Sequence, residues 1–325
     1  MRKLSILLLF FCCCQVAYNQ IIKGTILDEK TKICIPFASV YFNGTFVGTT
    51  SDKNGNFELN TGHNTSKPVT ISAIGYFSST LTVFSTGELL QICLTPKVYE
   101  ISEAVVKRKS LAWKRRKYMA FFKEEFLGTS VNALQCEILN EKDITFNYDS
   151  DKDTIKAFAL KPIEIDNKGL GYKITCFLDK FEFYKNSQAT FFRGNIIFRE
   201  DNATGELQSK YNEHRKFSYS GSSLQFFRAL WEDKAKKYGF TILDSIYNPV
   251  KYKEVVLSDS LNNKFLSYHG NLNIGYSERS SRAIFLKKFV HFDKTGYYDP
   301  TGINWNGFMA FQRMGDWLPY EYSPE

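Results

Sequence analysis

The chain has 325 residues, which allows about two domains. Its 42 Lys and Arg against 34 Asp and Glu make it mildly basic, while 43% hydrophobic and 23% charged residues are typical of globular proteins. This composition disfavours collagen, a coiled coil, wholesale disorder and a polytopic membrane protein. Aromatic residues are abundant at 16%, which favours pleated sheets with bulky cross-strand pairs.

The first 20 residues have the layout of a secretory signal peptide. Arg2 and Lys3 precede an apolar run at residues 4–14, and a more polar stretch follows. The run is shorter than the roughly 20 residues that a membrane-spanning helix needs. We therefore expect residues 1–20 to be removed and the product to reach the periplasm or the outer membrane. The alternative is lipid attachment at one of three adjacent cysteines, which are Cys12, Cys13 and Cys14.

Four cysteines lie beyond the signal peptide, and they are Cys34, Cys93, Cys136 and Cys176. An even number in an exported protein permits two disulfides, in three connectivities. Each cysteine has apolar neighbours, and free cysteine often packs as a small buried side chain. We therefore favour buried free thiols, and two disulfides are the alternative.

Short β-type runs separated by turn signals occupy residues 21–96, at the spacing of a β-sandwich. The seven runs lie at residues 21–27, 38–42, 45–50, 56–60, 69–73, 79–84 and 89–94. Asn43-Gly44 and Asn54-Gly55 predict tight type I′ turns, in which both central residues have positive φ. The pattern predicts a small seven-stranded sandwich.

This region resembles the carboxypeptidase-regulatory-like domain, a transthyretin-like β-sandwich. The similarity rests on Gly24, Ile35-Pro36, Gly48-Thr49-Thr50, the turn at residues 52–57 and Ile74-Gly75-Tyr76. The resemblance implies an exported protein of the Gram-negative envelope and no peptidase activity, because the module lacks the catalytic zinc site. In outer-membrane receptors a plug and a large barrel follow such a module, but the chain remaining here is too short for them.

The predicted organisation has four parts: a signal peptide at 1–20, the sandwich at 21–97, a linker with a basic amphipathic helix at 98–127, and an α+β domain at 128–325. The last part resembles the uncharacterised C-terminal domain of exported proteins that carry the same module, a resemblance that implies no known activity. The fold class is therefore mainly β, with an α+β second domain.

The basic helix begins with Lys107, and seven of the eleven residues from there to Lys117 are basic. Such a helix either touches anionic lipid headgroups or packs on the second domain through its apolar stripe. Export argues against a nucleic-acid partner.

The second domain mixes strand and helix patterns. Strands are predicted at residues 143–148, 154–160, 172–184, 189–198, 251–257, 266–276 and 283–292. Helices are predicted at 206–216 and 223–238, the second with Ser222 or Ser223 as its N-cap and Gly239 as its stop. The sheet is expected to be mostly antiparallel.

No catalytic or metal-binding spacing emerges. The four histidines, which are His63, His214, His269 and His291, lack the spacings that place two ligands on one face. Asp149, Asp151 and Asp153 alternate as in a calcium loop, but the glycine and glutamate required later in the loop are missing, so a solvated tip of a hairpin formed by the strands at 143–148 and 154–160 is favoured. We therefore predict no cofactor and no catalytic residues. A hydrolase or peptidase-like enzyme with a site assembled by the fold is the alternative.

Aromatic rings crowd the C-terminal end among amide and carboxylate groups. Tyr298, Trp305 and Trp317 can bind a sugar or a protein partner, or they can pack as core. Arg215 and Arg228 flank a serine-rich loop and are candidates for an anion site at a capped helix N-terminus. The predicted function is a non-enzymatic envelope protein, in which the sandwich is an accessory to a domain binding an envelope protein or glycan. A glycan-binding module using the C-terminal rings is the alternative.

Overall fold

The computed structural model describes residues 21–62, 67–82, 84, 87–97 and 108–324, with side chains from residue 113 onward in the first helix. The predicted signal peptide and the three cysteines offered for lipid attachment lie outside these residues. The same holds for His63 and for residues 98–107 of the predicted linker.

Residues 21–97 form a β-sandwich of two sheets, as predicted. Its strands are β1 (Ile21–Asp28), β2 (Ser39–Phe42), β3 (Gly48–Thr50), β4 (Asn56–Asn60), β5 (Val69–Ser72), β6 (Ser79–Leu81) and β7 (Leu89–Leu94). One sheet has the order β4-β1-β7 and the other β3-β2-β5-β6. Paired strands are antiparallel except β1 and β7. Alternating burial, seen clearly along β4, directs one face of each sheet into a shared core.

The two Asn-Gly turns exist, but the predicted type I′ geometry is wrong. Gly44 and Gly55 have positive φ values of 74° and 77°, whereas the preceding asparagines do not. At the second turn the carboxylate of Asp52 accepts the N–H groups of Asn54 and Asn56, each at 2.8 Å. A wider aspartate-capped loop therefore replaces the two-residue turn.

Within the described residues this aspartate-capped loop occurs at four places, at residues 52–56, 244–248, 259–263 and 293–297. In each, the aspartate side chain accepts the N–H two residues later, and the residue at the fourth position has positive φ. In three of them an asparagine at the fifth position also donates to the carboxylate, which lowers the pKa of Asp52, Asp244 and Asp259. The loop is a local device of this sequence for joining strands.

The chain after the sandwich packs around two hydrophobic cores. The first is covered by a six-stranded sheet in which β12 occupies the centre. Its strands are β8 (Cys136–Ile138), β9 (Ile144–Asp149), β10 (Thr154–Ala159), β11 (Ile163–Asn167), β12 (Tyr172–Tyr184) and β13 (Ala189–Glu200). All their pairings are antiparallel, and the predicted hairpin of β9 and β10 is confirmed.

Helix α1 (Arg108–Leu127) lies across this sheet. Phe122 and Phe126 are fully buried, and the ring of Phe122 lies 4.7 Å from that of Phe181 on β12. The second half of this helix, which was predicted to lie in a linker, is thus part of the first core. This agrees with the alternative in which the helix packs on the second domain. Within the described residues, none of the helices combines the length and apolar character that a membrane crossing requires.

The second core lies between helices and two small antiparallel sheets, of orders β14-β17-β18-β20 and β15-β16-β19. The helices that contribute to it are α3 (Ser223–Trp231), α4 (Tyr252–Val255) and α5 (Phe308–Phe311), whereas α2 (Glu206–Tyr219) lies against the first sheet, where Arg215 stacks over the Tyr172 ring at 4.1 Å. The strands are β14 (Phe240–Leu243), β15 (Val256–Ser258), β16 (Lys264–Leu266), β17 (Leu272–Tyr276), β18 (Arg279–Phe285), β19 (Val290–Phe292) and β20 (Ile303–Gly307).

Several predicted boundaries in this second core are wrong for local reasons. Helix α3 ends before Gly239 because Asp233 adopts positive φ and the N–H of Lys234 bonds to the carbonyl of Ala229, a Schellman-type stop. The predicted strand 251–257 begins instead as the single turn α4. The predicted strand 266–276 breaks at Gly270, whose φ is 115°.

The sandwich docks on the first sheet through the loop between β2 and β3. The N–H of Gly44 donates to the carbonyl of Ile196 at 2.9 Å, and the side-chain oxygen of Asn43 accepts the Ile196 N–H at 2.8 Å. The N–H of Phe198 donates to the carbonyl of Thr45 at 3.1 Å. The loop thus adds a short parallel segment to the edge strand β13 and covers its unpaired backbone groups.

The C-terminal tail, defined as residues 318–322, closes over this loop. The N–H of Tyr320 donates to the carbonyl of Gly44 at 2.9 Å, and a Cβ on Gly44 would lie 2.6 Å from the Tyr320 ring. On its other side, the tail is held by Arg228, whose guanidinium donates to the carbonyls of Tyr320 and Tyr322 at 3.0 and 2.7 Å. The tail therefore ties the sandwich to α3.

A buried ion pair forms the second contact between the sandwich and the first sheet. Lys97 and Asp179 lie 3.6 Å apart with both side chains under 10% exposed, at 6% and 9%. Lys97 also donates to the carbonyl of Leu178 at 3.0 Å, and burial lowers its pKa. Asp179 sits in a β-bulge of β12, which turns its side chain toward the sandwich.

We expect Asp179→Ala to lower the free energy of unfolding by about 3 kcal/mol, because it leaves the buried ammonium of Lys97 without its partner. The double variant Lys97→Met with Asp179→Leu should lose much less, since it removes both charges. Chemical denaturation of the three proteins measures this. Equal losses in the single and double variants would contradict a buried-charge penalty.

We expect Tyr247→Gly to raise the free energy of unfolding by about 0.5 kcal/mol. Tyr247 is 66% exposed and has a φ of 67°, and relief of this conformation, at about 1–2 kcal/mol, exceeds the greater unfolded-state entropy of glycine. Gly55→Ala, at the equivalent position of the first loop, should destabilise by more than that gain, because a Cβ there would also lie 2.8 Å from the carbonyl oxygen of Ile26. Thermal unfolding of both variants measures the two stability changes, and a loss of stability in Tyr247→Gly would refute the prediction.

Candidate functional site

A cavity of about 190 Å³ opens where four segments of the chain meet. These are the loop after α1, the end of α2, helix α5 and the short turn Met314–Asp316. The residues lining it are Thr129, Ser130, Phe217, Ser218, Phe308, Phe311, Gln312 and Asp316. We call this cavity the Asp316 pocket.

The floor of the Asp316 pocket is a buried carboxylate. One oxygen of Asp316, Oδ1, accepts hydrogen bonds from Ser130 Oγ at 2.8 Å and from Asn132 Nδ2 at 3.0 Å. Ser218 also bonds to the carboxylate and accepts a second bond from Asn132 at 2.9 Å. Burial raises the pKa of Asp316 despite these hydrogen bonds. The group is therefore a carboxylate whose charge is poorly solvated.

Two glycines bring the segments of the floor together. Gly128, with a φ of 100°, ends α1 and starts the loop that contains Ser130. A Cβ on Gly315 would lie 2.5 Å from the Cα of Ala133, so only glycine allows the turn before Asp316 to approach this loop. Asn167 fixes that turn by donating to the carbonyl of Gly315 at 3.0 Å. The floor is thus built by close backbone approach.

The rim of the pocket is aromatic and exposed. Phe217 and Phe311 are 65% and 76% exposed. The guanidinium of Arg279 lies between Phe217 and Phe308, 4.6 and 4.3 Å from the two ring centroids, and donates to the carbonyl of Ser220 at 2.5 Å. Large apolar side chains held at the surface in this way offer area that a partner can bury.

The rings predicted for recognition lie in the cores. Tyr298 stacks on Phe227 at 4.5 Å, and its hydroxyl accepts the Trp305 indole N–H at 2.9 Å, within the second core. Trp317 stacks on Phe192 at 5.7 Å against the first core. Tyr298, Trp305 and Trp317 therefore pack as core, which was the alternative to recognition, and none of them lines the Asp316 pocket.

The two arginines proposed as an anion site do not form one. Arg215 is buried and donates to the carbonyls of Leu170 and Gly171 at 2.7 and 3.2 Å, and it pairs with Glu200. Arg228 holds the C-terminal tail. The N-terminus of α3 is capped by Ser222, as predicted, whose Oγ accepts the N–H of Gln225 at 3.1 Å. Both guanidiniums thus hold backbone carbonyls in place.

All four described cysteines are free. Cys176 is buried, as expected, whereas Cys34 and Cys93 are exposed and contradict the expectation of burial. Cys136 is half-buried, and burial raises its pKa to about 12. Cys93 is exposed because it alternates along β7 with the buried Ile92 and Leu94, so apolar sequence neighbours did not indicate its own burial.

Metal-ligand clusters of three or more His, Cys, Asp or Glu are absent from the part of the chain that the structure describes. The alternating aspartates predicted as a hairpin tip engage lysines instead: Asp149 pairs with Lys156 at 3.0 Å and Asp153 with Lys185 at 2.9 Å.

The pocket draws part of its lining from the predicted C-terminal crowd of rings and polar groups, namely Phe308, Phe311, Gln312 and Asp316. Five other residues of the site were not predicted from the sequence, and they are Thr129, Ser130, Asn132, Phe217 and Ser218. Ser130 and Asp316 are 186 residues apart, so no local spacing connects them. The available signal was the helix stop at Gly128 followed by Thr-Ser-x-Asn, a run of side chains suited to capping backbone groups.

We expect Asp316→Asn to gain stability relative to the wild type as pH rises. The raised pKa of Asp316 means that its stabilising contribution is full below the unfolded-state pKa and is lost as pH increases through the folded-state pKa. Asp244→Asn should instead lose stability relative to the wild type as pH rises, because hydrogen bonds lower the pKa of Asp244. Denaturation at a series of pH values measures both differences, and parallel curves for the two variants would exclude this assignment.

Comparison with known proteins gives one family match. Residues 22–106 match the family model of the CarboxypepD_reg-like domain. No curated protein matches the chain. Among solved structures, the chain is similar to a Bacteroides fragilis protein of unknown function, described as a candidate membrane-associated protein, at 11% identity over 88% of this chain and 94% of that one. The TM-score of 0.18 is too low to support any argument from that structure. The N-terminal sandwich of this chain is thus identified as a CarboxypepD_reg-like domain.

Proposed function

We propose that the chain is an exported, non-enzymatic protein of the bacterial cell envelope. In this proposal the CarboxypepD_reg-like sandwich is a fixed accessory module, and the second region binds a protein partner through the Asp316 pocket. The observation that carries the proposal is the combination of a poorly solvated carboxylate floor with an exposed aromatic rim. Export rests on the signal-peptide layout of residues 1–20 and on the family resemblance.

The size of the pocket favours a protein partner. Small-molecule sites usually enclose about 300–1,000 Å³, and the Asp316 pocket encloses about 190 Å³. A cavity below that range suits one side chain inserted from a larger partner. The exposed rings of Phe217 and Phe311 then supply the surrounding apolar contact, as aromatic anchors do at the centre of protein interfaces.

The contacts of the sandwich support its role as a fixed accessory. Its β2–β3 loop pairs with β13, the C-terminal tail covers that loop, and the buried Lys97 and Asp179 pair lies beside them. Domains of one chain are expected to move relative to one another unless their interface is extensive, and three separate contacts cross this one. The sandwich is therefore expected to hold the second region in one orientation.

Site-specific cross-linking tests the partner. A photo-reactive phenylalanine analogue placed at position 311 should give one defined adduct after illumination of cells exporting the protein. The same analogue at position 37 is the control, because Phe37 is 72% exposed but lies on the sandwich. Phe217→Ala should reduce the adduct about tenfold, the usual effect of removing an aromatic anchor worth more than 1 kcal/mol. Equal adducts from positions 311 and 37, or none from 311, would refute the proposal.

A hydrolase is the second candidate, and one observation favours it. Ser130 donates to Asp316 inside the pocket, so a hydroxyl lies beside a carboxylate with a raised pKa. Turnover of ester or peptide substrates that is lost in Ser130→Ala would support the enzyme over the binding protein. Binding to immobilised glycans that is lost in Phe311→Ala would instead support a glycan-binding module.

A further inference from the structure

Helix α1 has two halves in different environments. In its second half Met119, Phe122 and Phe126 are buried in the first core. In its first half the side chains of Lys114, Arg116 and Lys117 are exposed, and so is Trp113, at 64%. Trp113, Arg116, Lys117 and Ala120 lie on one face at helical spacing, and all four are exposed. We call these four residues, together with the neighbouring exposed Lys114, the basic face.

The charges of α1 are unbalanced and oppose the helix dipole. No acidic residue occurs between residues 108 and 123, where the basic residues are Arg108, Lys109, Lys114, Arg115, Arg116, Lys117 and Lys123. The first acidic residues, Glu124 and Glu125, come near the C-terminal end. Cations at a helix N-terminus and anions at its C-terminus are both unfavourable to the helix. The basic residues are therefore not explained by helix stability.

A groove of about 450 Å³ runs along this part of α1. It is lined by Arg115, Arg116, Met119, Ala120, Lys123 and Glu141. Arg115 and Lys123 are engaged there, because Arg115 donates to the carbonyls of Ile144 and Glu141 at 2.6 and 2.7 Å and Lys123 pairs with the Glu141 carboxylate. Arg116 forms no hydrogen bond or ion pair with the described residues. Its guanidinium is free to bind an anion in the groove.

We propose that the basic face binds the surface of a membrane that contains anionic lipids, with a lipid phosphate taken by Arg116 in the groove. Tryptophan beside lysine and arginine is the side-chain set that anchors a helix at the headgroup level of a bilayer. Lys117 lies 5.7 Å from the Trp113 ring centroid, so the cation and the ring form one surface. The open groove and the spread of cations along the helix suit many headgroups better than one enclosed soluble ion.

Vesicle sedimentation tests this surface without reference to the Asp316 pocket. The full chain should sediment with vesicles of phosphatidylcholine mixed with phosphatidylglycerol, and not with phosphatidylcholine alone. Added salt should weaken the binding. The triple variant Lys114→Gln, Arg116→Gln, Lys117→Gln should bind about 100-fold more weakly, at roughly fivefold for each cation lost near the surface.

A variant with the same change of charge elsewhere is the control. Lys236, Lys237 and Lys253 are exposed and lie outside α1, so their replacement by Gln should leave vesicle binding within about twofold, a loss typical of non-specific electrostatics. Trp113 emission should shift to the blue on binding, and Trp113→Phe should abolish that shift. Equal losses in the two triple variants would overturn the proposal, and so would release of the protein by inorganic phosphate at matched ionic strength, which would assign the groove to a soluble anion.

Discussion

The pairing of one sandwich loop with the edge of the large sheet is the constraint on which the arrangement of the chain depends. Gly44 and Thr45 supply backbone groups to Ile196 and Phe198, and Asn43 supplies a side-chain oxygen. A backbone hydrogen bond contributes about 1 kcal/mol net, because separation returns both groups to water, whereas a docked register that left them buried and unpaired would cost more. These hydrogen bonds therefore fix the register of the docking more than they add to its free energy.

The elements that sequence could predict are those whose patterns are local. The seven sandwich strands follow from short alternating runs between turn residues, and β12 follows from thirteen residues of mostly alternating character. Strand β14 escaped because its four residues give too little period, whereas β11 alternates clearly over Ile163–Asn167 and was detectable. The division of the second region into two cores also escaped, since alternation marks a buried face without saying which neighbour buries it.

The candidate site was predictable only in part for the same reason. A ring-rich, polar C-terminal segment was recognised, but the sequence cannot tell a ring that fills a core from one that rims a cavity. Tyr298 and Trp305 fill a core, whereas Phe311 rims the cavity, although the three lie within fourteen positions of one another. The difference depends on α3, whose Phe226 and Phe227 rings pack on Trp305 and Tyr298, whereas Phe311 is 76% exposed. Long-range packing decides whether such a ring is buried, and the local sequence carries no sign of that packing.

The C-terminal tail carries a consequence for the order in which the molecule assembles. Residues 318–322 come after every element that they clasp, so a growing chain makes both β13 and the sandwich loop long before it makes their cover. Until Tyr320 arrives, the loop has no ring against Gly44, and Arg228 has no carbonyls to hold. The cover over this contact is therefore completed last during synthesis, and a chain interrupted upstream of it would keep the backbone pairing of the loop with β13 but lack the clasp that reinforces it.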